Sequence, residues 1–164
     1  MSDPSVILLV EDRQDDVLLV QRALARAKIL NPLFVVHSGE EAISYLSGDG
    51  KFSNRAEYPL PELILLDLKM PGLDGFDVLK WVRSQAAFKP LRIVVLTSSE
   101  EVYDVDQAYG LGANSFLVKP YDFTDLVSLA QVLQKFWLHL SRTPETFRLP
   151  KPDNHPMDIP PTSM

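Results

Sequence analysis

One segment sets the pattern of this 164-residue chain: Leu63-Ile-Leu-Leu-Asp67-Leu-Lys-Met-Pro71-Gly-Leu-Asp-Gly75. Its apolar run, 63–66, predicts a strand that is buried on both faces, as in a parallel sheet. Asp67 follows this strand directly, and the Pro-Gly and Asp-Gly pairs after it predict a turn. Ligands of open α/β sheets bind beyond the carboxyl ends of the strands, so Asp67 occupies a position suited to chemistry. Taken alone, the same aspartate could simply cap the next helix.

The alternation of a short apolar run and a helical pattern occurs five times along the chain. The predicted strands are 6–10, 33–36, 63–66, 91–96 and 114–118. The predicted helices are about 15–28, 38–46, 74–82, 100–109 and 122–140. This order predicts a doubly wound α/β fold with a five-stranded parallel sheet and helices on both faces. The polar segment 48–61 is predicted to be an exposed loop.

The composition is that of an ordinary globular protein, with 46% hydrophobic and 23% charged residues. No apolar run approaches the roughly 20 residues of a membrane span, and no secretory signal is visible. The absence of Cys excludes disulfides and thiolate metal sites, and it suits a cytoplasmic protein. A formal net charge of −6 argues against nucleic acid as the main partner.

The composition changes after Ser141. Six of the 13 prolines lie at positions 144, 150, 152, 156, 160 and 161. We therefore divide the chain into a domain of residues 5–141 and a C-terminal extension of residues 142–164. Within the extension we expect an arm at 143–150, followed by a disordered remainder.

Polar side chains follow four of the predicted strands. Glu11 and Asp12 follow the first strand, Asp67 the third, Thr97 the fourth and Lys119 the fifth. The first and third strands are neighbours in a doubly wound sheet of this size, so the three carboxylates should converge. Each close pair of them would repel by roughly 4 kcal/mol at an intermediate effective dielectric. Such a cluster requires a cation, and oxygen ligands favour Mg²⁺.

This constellation suits phosphoryl transfer. A carboxylate beside Mg²⁺, here Asp67, can attack phosphorus and form an acyl phosphate. The Lys119 ammonium and the Thr97 hydroxyl would then neutralise and contact the phosphoryl oxygens. Simpler interpretations are that Glu11-Asp12 and Thr97 only cap helices, and that Lys119 is a solvated loop lysine.

In this order, the motifs resemble the receiver domain of two-component response regulators, over about residues 5–141. They are Val-Glu11-Asp12, Leu-Asp67-Leu-Lys-Met-Pro-Gly-Leu-Asp-Gly, Leu-Thr97-Ser and Leu-Val-Lys119-Pro120. The resemblance implies a flavodoxin-like (βα)5 fold and phosphorylation of Asp67 by a histidine kinase. It also implies Mg²⁺ binding by Glu11, Asp12, Asp67 and the backbone carbonyl of Lys69.

The same resemblance implies that Thr97 and Lys119 sense the phosphoryl group, and that the Lys119–Pro120 peptide bond is cis. Phe116 matches the aromatic switch position of the family. Because Phe116 lacks the hydroxyl of the commoner Tyr, any switch must work through packing alone. Lys69 matches a variable position that influences phosphate lifetime.

Three further features resemble the single-domain regulators that are paired with bacterial and cyanobacterial phytochromes. They are the loop 48–61, the Phe136-Trp137 pair, and the tail Phe147-Arg-Leu149-Pro150. This narrower resemblance implies a light-sensing kinase partner, and signalling to an unidentified protein through phosphorylation-dependent contacts. We expect a stand-alone regulator, since nothing after Leu140 is long enough to be an output domain.

Two other functions are compatible with parts of the pattern. Haloacid dehalogenase-like phosphatases also use an Asp nucleophile after a strand, but they need a second Asp two residues on, where this chain has Lys69. A receiver that acts as a phosphorylation-independent adaptor would not need the full set of phosphorylation residues.

The last predicted helix carries two apolar rows. The row that would cover the sheet comprises Phe123, Leu126, Val127, Ala130, Leu133, Trp137 and Leu140. The second row comprises Leu129, Val132 and Phe136. Exposed apolar patches of this kind usually mark interfaces, so we expect a symmetric homodimer built from this helix and the arm 143–150. Packing of the helix against its own tail is the alternative.

Overall fold

Five parallel strands alternate with five α-helices in the computed structural model, which describes residues 5–98 and 101–135. The strands are β1 (Ile7–Val10), β2 (Leu33–Val36), β3 (Leu63–Leu66), β4 (Arg92–Thr97) and β5 (Ser115–Val118). The helices are α1 (Gln14–Arg26), α2 (Gly39–Ser47), α3 (Gly75–Ser84), α4 (Val102–Gly110) and α5 (Phe123–Leu133). The strand order is β2-β1-β3-β4-β5, which makes β1 and β3 neighbours.

Each face of the sheet is covered by its own helices. Side chains of a strand alternate between the two faces, so Ile64 and Leu66 of β3 join one apolar cluster while Leu63 and Leu65 join the other. The first cluster is completed by α2, α3 and α4, and the second by α1 and α5. The predicted doubly wound fold with helices on both faces is therefore confirmed.

The ends of several elements differ from their predicted positions. The fifth strand begins at Ser115 and not at Asn114. The Asn114 side chain accepts hydrogen bonds from the Ile93 backbone N–H (2.8 Å) and from Arg83 (2.9 Å). It therefore links β4 to α3 just before the fifth strand begins. Helix α4 begins at Val102, two residues after its predicted start. The predicted end of the last helix at Leu140, like the extension 142–164, lies outside the described residues.

The segment 48–61 is not simply an exposed loop. It contains a short 3-10 helix, Gly50–Ser53, and its Phe52 side chain is buried. The rings of Tyr45, Phe52 and Tyr58 pack with centroids 5.0 to 6.0 Å apart. Arg55 donates to the carbonyls of Tyr45 (2.6 Å) and Leu46 (2.7 Å), near the end of α2. The exposed-loop prediction therefore holds for much of the segment and is wrong at Phe52, where aromatic packing outweighs the polar composition.

Among the helices that the structure describes, none combines the length and the apolar character needed to cross a membrane.

Candidate functional site: a carboxylate cluster at one end of the sheet

Three carboxylates meet at the carboxyl ends of β1 and β3. The strands run in register, and the Asp67 N–H donates to the Val10 carbonyl at 3.1 Å. Glu11 and Asp12 therefore leave the sheet beside Asp67. Each of the three residues has one carboxylate oxygen that could bind a metal ion, and these three oxygens all lie within 4.8 Å of one another.

The cluster is largely removed from solvent, since Glu11 is 1% exposed and Asp67 is 5% exposed. One oxygen of Asp67 and one of Asp12 (Oδ1 in both) are buried and accept no hydrogen bond from any described residue. Buried carboxylate oxygens without partners are costly, and a bound cation would satisfy them. The donor set is oxygen-only, which fits a hard divalent ion such as Mg²⁺ or Mn²⁺.

Lys119 brings a positive charge to the same place. Its Nζ donates a short hydrogen bond to Glu11 and lies 3.3 Å from Asp16 Oδ2. Its backbone N–H donates to the Thr97 carbonyl at 2.8 Å, so the ends of β4 and β5 stay together. No peptide bond within the described residues is cis, which makes Lys119–Pro120 trans and the expected cis bond wrong. Trans is the intrinsically favoured isomer before proline, and with it the ammonium still reaches Glu11.

The surroundings of Glu11 and Lys119 raise the pKa of both groups. Burial raises the pKa of Glu11 to about 7; the Lys119 hydrogen bond opposes this rise and the Asp67 charge adds to it. Burial lowers the pKa of Lys119, but the Glu11 hydrogen bond and the charges of Asp67, Glu11 and Asp16 outweigh burial, so the net shift is upward. Lys119 therefore remains an ammonium at neutral pH.

The turn after Asp67 depends on a glycine that sequence reasoning treated only as part of a turn. A Cβ at Gly75 would lie 2.2 Å from the Asp67 carbonyl oxygen and 2.7 Å from Leu68 Cα. The Gly75 N–H donates to the Leu68 carbonyl at 3.0 Å, and Asp74 and Asp77 form a capping box at the start of α3. The Asp-Gly pair is the sequence signal for this close approach, since only glycine fits there.

Helix α2 supports the same turn from the other side. A Cβ at Gly39 would lie 2.4 Å from the Leu73 carbonyl oxygen. The Glu40 carboxylate accepts a hydrogen bond from the Leu73 N–H at 3.0 Å. Sequence reasoning missed both residues, because no local pattern indicates that α2 touches the segment after β3.

The remaining candidate residues lie toward β4 and β5. Thr97 is fully buried at the end of β4, and Phe116 is half-buried against the core. The Lys69 side chain forms an ion pair with α4, in which its Nζ lies 3.3 Å from Asp104 Oδ2. The structure thus places oxygens of Glu11, Asp12 and Asp67 within 4.8 Å of one another and pairs Lys119 with Glu11, and Thr97 shares their end of the sheet.

A family model described as the response regulator receiver domain matches residues 7–131, a range that holds all of these side chains. The chain belongs to this family. The family consists generally of signalling domains and not of classical enzymes, so membership sets aside the dehalogenase-like phosphatase. The expected flavodoxin-like receiver fold is confirmed as well.

The most informative relatives are themselves response regulators. Response regulator Rcp1 of Synechocystis is 38% identical over 147 residues, which cover 90% of this chain and 94% of Rcp1. The Mn²⁺-bound crystal structure of Rcp1 superposes with a TM-score of 0.77 at 38% identity, covering 86% of this chain and 99% of that one. The phosphorylated cyanobacterial phytochrome response regulator RcpA gives a TM-score of 0.79 at 33% identity, over 86% and 99%.

One relative of similar likeness carries a different description. The probable methanogenesis regulatory protein FilR2 of Methanothrix harundinacea is 34% identical over 145 residues, covering 87% of this chain and 89% of FilR2. The chain is therefore homologous to phytochrome response regulators, and it is also similar to a protein described as a probable methanogenesis regulator.

Proposed function

We propose that this receiver is phosphorylated on Asp67 by a histidine kinase, with Mg²⁺ held in the acidic cluster. The observation that carries the proposal is the position of the Asp67 carboxylate at the end of β3, where its ligand oxygen lies within 4.8 Å of those of Glu11 and Asp12. A nucleophilic carboxylate oxygen held in this way beside a cation site is poised to attack phosphorus. In the transfer, this oxygen bonds to phosphorus while the bond from phosphorus to the kinase histidine breaks, and the histidine nitrogen keeps the electron pair.

Each neighbouring residue has a distinct proposed role. Glu11, Asp12, Asp67 and the Lys69 carbonyl would hold Mg²⁺, which when bound neutralises charge on the phosphoryl oxygens. The Lys119 ammonium already lies against Glu11 and would pair with a phosphoryl oxygen. Thr97 would donate its hydroxyl to another, and Phe116 would respond through packing. The output is a phosphorylation-dependent contact with a downstream protein.

A phytochrome-type, light-sensing kinase is our proposed donor, and it implies a cytoplasmic site of action. Support comes from the likeness to Rcp1 and to the phytochrome response regulator RcpA. The likeness to FilR2 requires that other kinases be tested alongside it.

Phosphotransfer to the Asp67→Asn variant tests the proposal. Wild type should take up labelled phosphate from a phytochrome kinase and from acetyl phosphate when Mg²⁺ is present, and Asp67→Asn should take up none. Asp125→Asn, which alters an exposed carboxylate on α5, is the matched control and should label like wild type. Robust labelling of Asp67→Asn would refute the assignment. Failure of wild type to label from any donor would favour the phosphorylation-independent adaptor.

Calorimetric titration tests the cation site. The double variant Glu11→Ala, Asp12→Ala should bind Mg²⁺ at least ~10-fold more weakly than wild type, because it loses two of the anionic ligands. Without metal it should be no less stable, since crowding of like charge is relieved. Unchanged Mg²⁺ affinity would exclude this site.

Self-association is a separate part of the proposal. Within the second apolar row of α5, Val132 is 51% exposed and Leu129 is half-buried. Phe136 and the arm 143–150 lie outside the described residues, and the homodimer rests on the sequence pattern. Sedimentation at micromolar concentration should detect a dimer that truncation after Ser141 abolishes. A wild-type monomer, with and without phosphorylation, would refute it.

A further inference from the structure

A fourth carboxylate, that of Asp16, lies near the acidic cluster without belonging to it. Its Oδ2 is 3.3 Å from Lys119 Nζ, although the two residues are 103 positions apart in the chain. Among the described residues, the group whose ligand oxygens lie within 4.8 Å of one another comprises Glu11, Asp12 and Asp67 and does not include Asp16. Asp16 therefore contacts the lysine of the site and is not one of the carboxylates that would hold a metal ion.

The position of Asp16 in α1 also has a simpler explanation, because acidic residues in a first turn interact favourably with the helix macrodipole. Asp15 lies in the same turn and satisfies this preference equally, but it is exposed. The side chain of Asp16 is 28% exposed and pairs with Lys119, whose side chain is 12% exposed. The partly buried ion pair with Lys119 therefore distinguishes Asp16 from its neighbour.

The Lys119 ammonium donates to two carboxylates, those of Glu11 and Asp16. An ammonium group has three N–H donors, so these two contacts leave one for a phosphoryl oxygen. The Glu11 carboxylate is also a proposed ligand of Mg²⁺, whereas that of Asp16 is not. A bound metal ion would therefore affect the two partners of Lys119 differently.

Mg²⁺ would weaken the contact between Lys119 and Glu11. The ion neutralises charge on the Glu11 carboxylate and repels the ammonium, and both effects are strong where water is largely excluded. Asp16 lies outside the ligand group, so its charge remains available to Lys119. Without Asp16, the flexible four-carbon stem of Lys119 would be free to turn the ammonium toward solvent.

We propose that Asp16 is a positioning residue that keeps the Lys119 ammonium at the acidic cluster when Mg²⁺ is bound. The proposal rests on the proposed function of Asp67, in which Lys119 pairs with a phosphoryl oxygen. Asp16 touches neither the phosphoryl group nor the metal ion, and it acts through Lys119.

The rate of reductive methylation of the Lys119 amine tests this role without phosphoryl transfer. Mass spectrometry measures the rate at a Mg²⁺ concentration that saturates each variant. Lys119 of wild type should stay protected when Mg²⁺ is added, and in Asp16→Asn it should react about tenfold faster, because a charged hydrogen bond is lost. Asp15→Asn removes the same charge from the same turn, so it is the matched control and should behave like wild type.

Equal methylation rates in wild type and in folded Asp16→Asn with Mg²⁺ would overturn the proposal. If Asp16→Asn does not fold, wild type decides. A Lys119 rate that rises on addition of Mg²⁺ to that of Lys80, an exposed lysine of α3, would show that Asp16 does not hold the ammonium.

Phosphorylation by acetyl phosphate at saturating Mg²⁺ then relates the position of Lys119 to the chemistry. Asp16→Asn should be about 5- to 10-fold slower than wild type, and Asp16→Glu should recover most of the rate. In a Lys119→Met background, Asp16→Asn should cause no further loss, because residues that act through one contact are not additive. The same loss with and without the Lys119 amine would overturn the proposal, and so would faster phosphorylation of Asp16→Asn.

These outcomes separate the positioning role from the proposed function. A wild-type protein that accepts no phosphate refutes the function of Asp67, while the methylation rates still decide the role of Asp16. A wild-type protein that accepts phosphate, together with equal methylation rates in wild type and Asp16→Asn, refutes the positioning role alone.

Discussion

Helices α3 and α4 follow adjacent strands and pack on the same face of the sheet, yet they are held in different ways. Helix α3 starts with a capping box, and it buries Gly75, Val78, Leu79 and Val82. Helix α4 starts without a side-chain cap, and among its described side chains Asp104 and Ala108 are buried. The helix beside Asp67 is thus fixed by close packing, and the helix beyond Thr97 is fixed in part by an ion pair.

The difference has a physical consequence. The proposed transfer to Asp67 requires placement to within a fraction of an ångström, and tight packing on α3 favours that precision. Close apolar packing depends little on charge, whereas the Lys69–Asp104 ion pair is electrostatic.

The far end of α4 is held to α3. The guanidinium of Arg83, near the end of α3, donates to the Gly112 carbonyl (2.9 Å), the Leu91 carbonyl (2.7 Å) and the Asn114 side chain (2.9 Å). Gly112 and Asn114 follow α4 directly. These hydrogen bonds therefore hold the segment that follows α4 against the end of α3.

Replacement of a glycine by alanine should show the largest difference in stability between the two helices. In Gly75→Ala, the new Cβ would lie 2.2 Å from the Asp67 carbonyl oxygen, so the turn must shift. We expect the free energy of unfolding to fall by about 1–3 kcal/mol, as for overpacked cores, with slower phosphorylation. Urea denaturation and labelling from acetyl phosphate measure the two effects.

Gly110→Ala, in the last turn of α4, is the matched control. A Cβ there would meet nothing within 4 Å, and this glycine does not have a positive φ. Alanine should leave stability unchanged or raise it by about 0.5–1 kcal/mol. Equal losses in the two variants would mean that the close approach at Gly75 has no special cost.

Substitution of the N-cap residues should lower stability by a smaller amount, and again more in α3 than in α4. In α3, the Asp74 carboxylate accepts the Asp77 N–H at 3.0 Å, so Asp74→Ala should cost about 1 kcal/mol. In α4, Glu101 makes no such bond, so Glu101→Ala should change stability by less than about 0.5 kcal/mol. Thermal or urea denaturation distinguishes them, and a comparable loss for Glu101→Ala would contradict the asymmetry.

The sequence predicts the fold and the position of the carboxylate cluster, but not the different ways in which α3 and α4 are held. Short apolar runs and helical periods predict five strands and five helices, and the order of the elements leads to the sheet order that is observed. The convergence of Glu11, Asp12 and Asp67 follows from that order, because neighbouring parallel strands end at one edge. These features depend on local patterns and on a general rule of chain connection.

The remaining features depend on contacts between distant segments. Lys69 and Asp104 are 35 positions apart and belong to no common motif, so their ion pair is visible only in the fold. Glu40 reaches Leu73 in the same way. The burial of Phe52 in segment 48–61 also depends on ring contacts with Tyr45 and Tyr58. The polar composition of the segment gives no indication of these contacts.

A pH series tests the carboxylate cluster and not α4. The pKa of Glu11 is raised from 4.5 to about 7 by burial, with the Lys119 hydrogen bond opposing and the Asp67 charge adding. The folded protein thus binds this proton more tightly than the unfolded chain does. The resulting stabilisation is complete below pH 4.5 and is lost as pH rises through about 7.

Metal-free wild type in a chelator should therefore lose stability as pH rises from 5 to 8. Glu11→Gln should show a shallower slope in urea denaturation, and an unchanged slope would show that another group is responsible. Lys119 does not contribute in this range, because its raised pKa keeps it charged throughout. Saturating Mg²⁺ should reverse the sign in wild type, since the ion binds the deprotonated cluster and stabilises the fold more as pH rises.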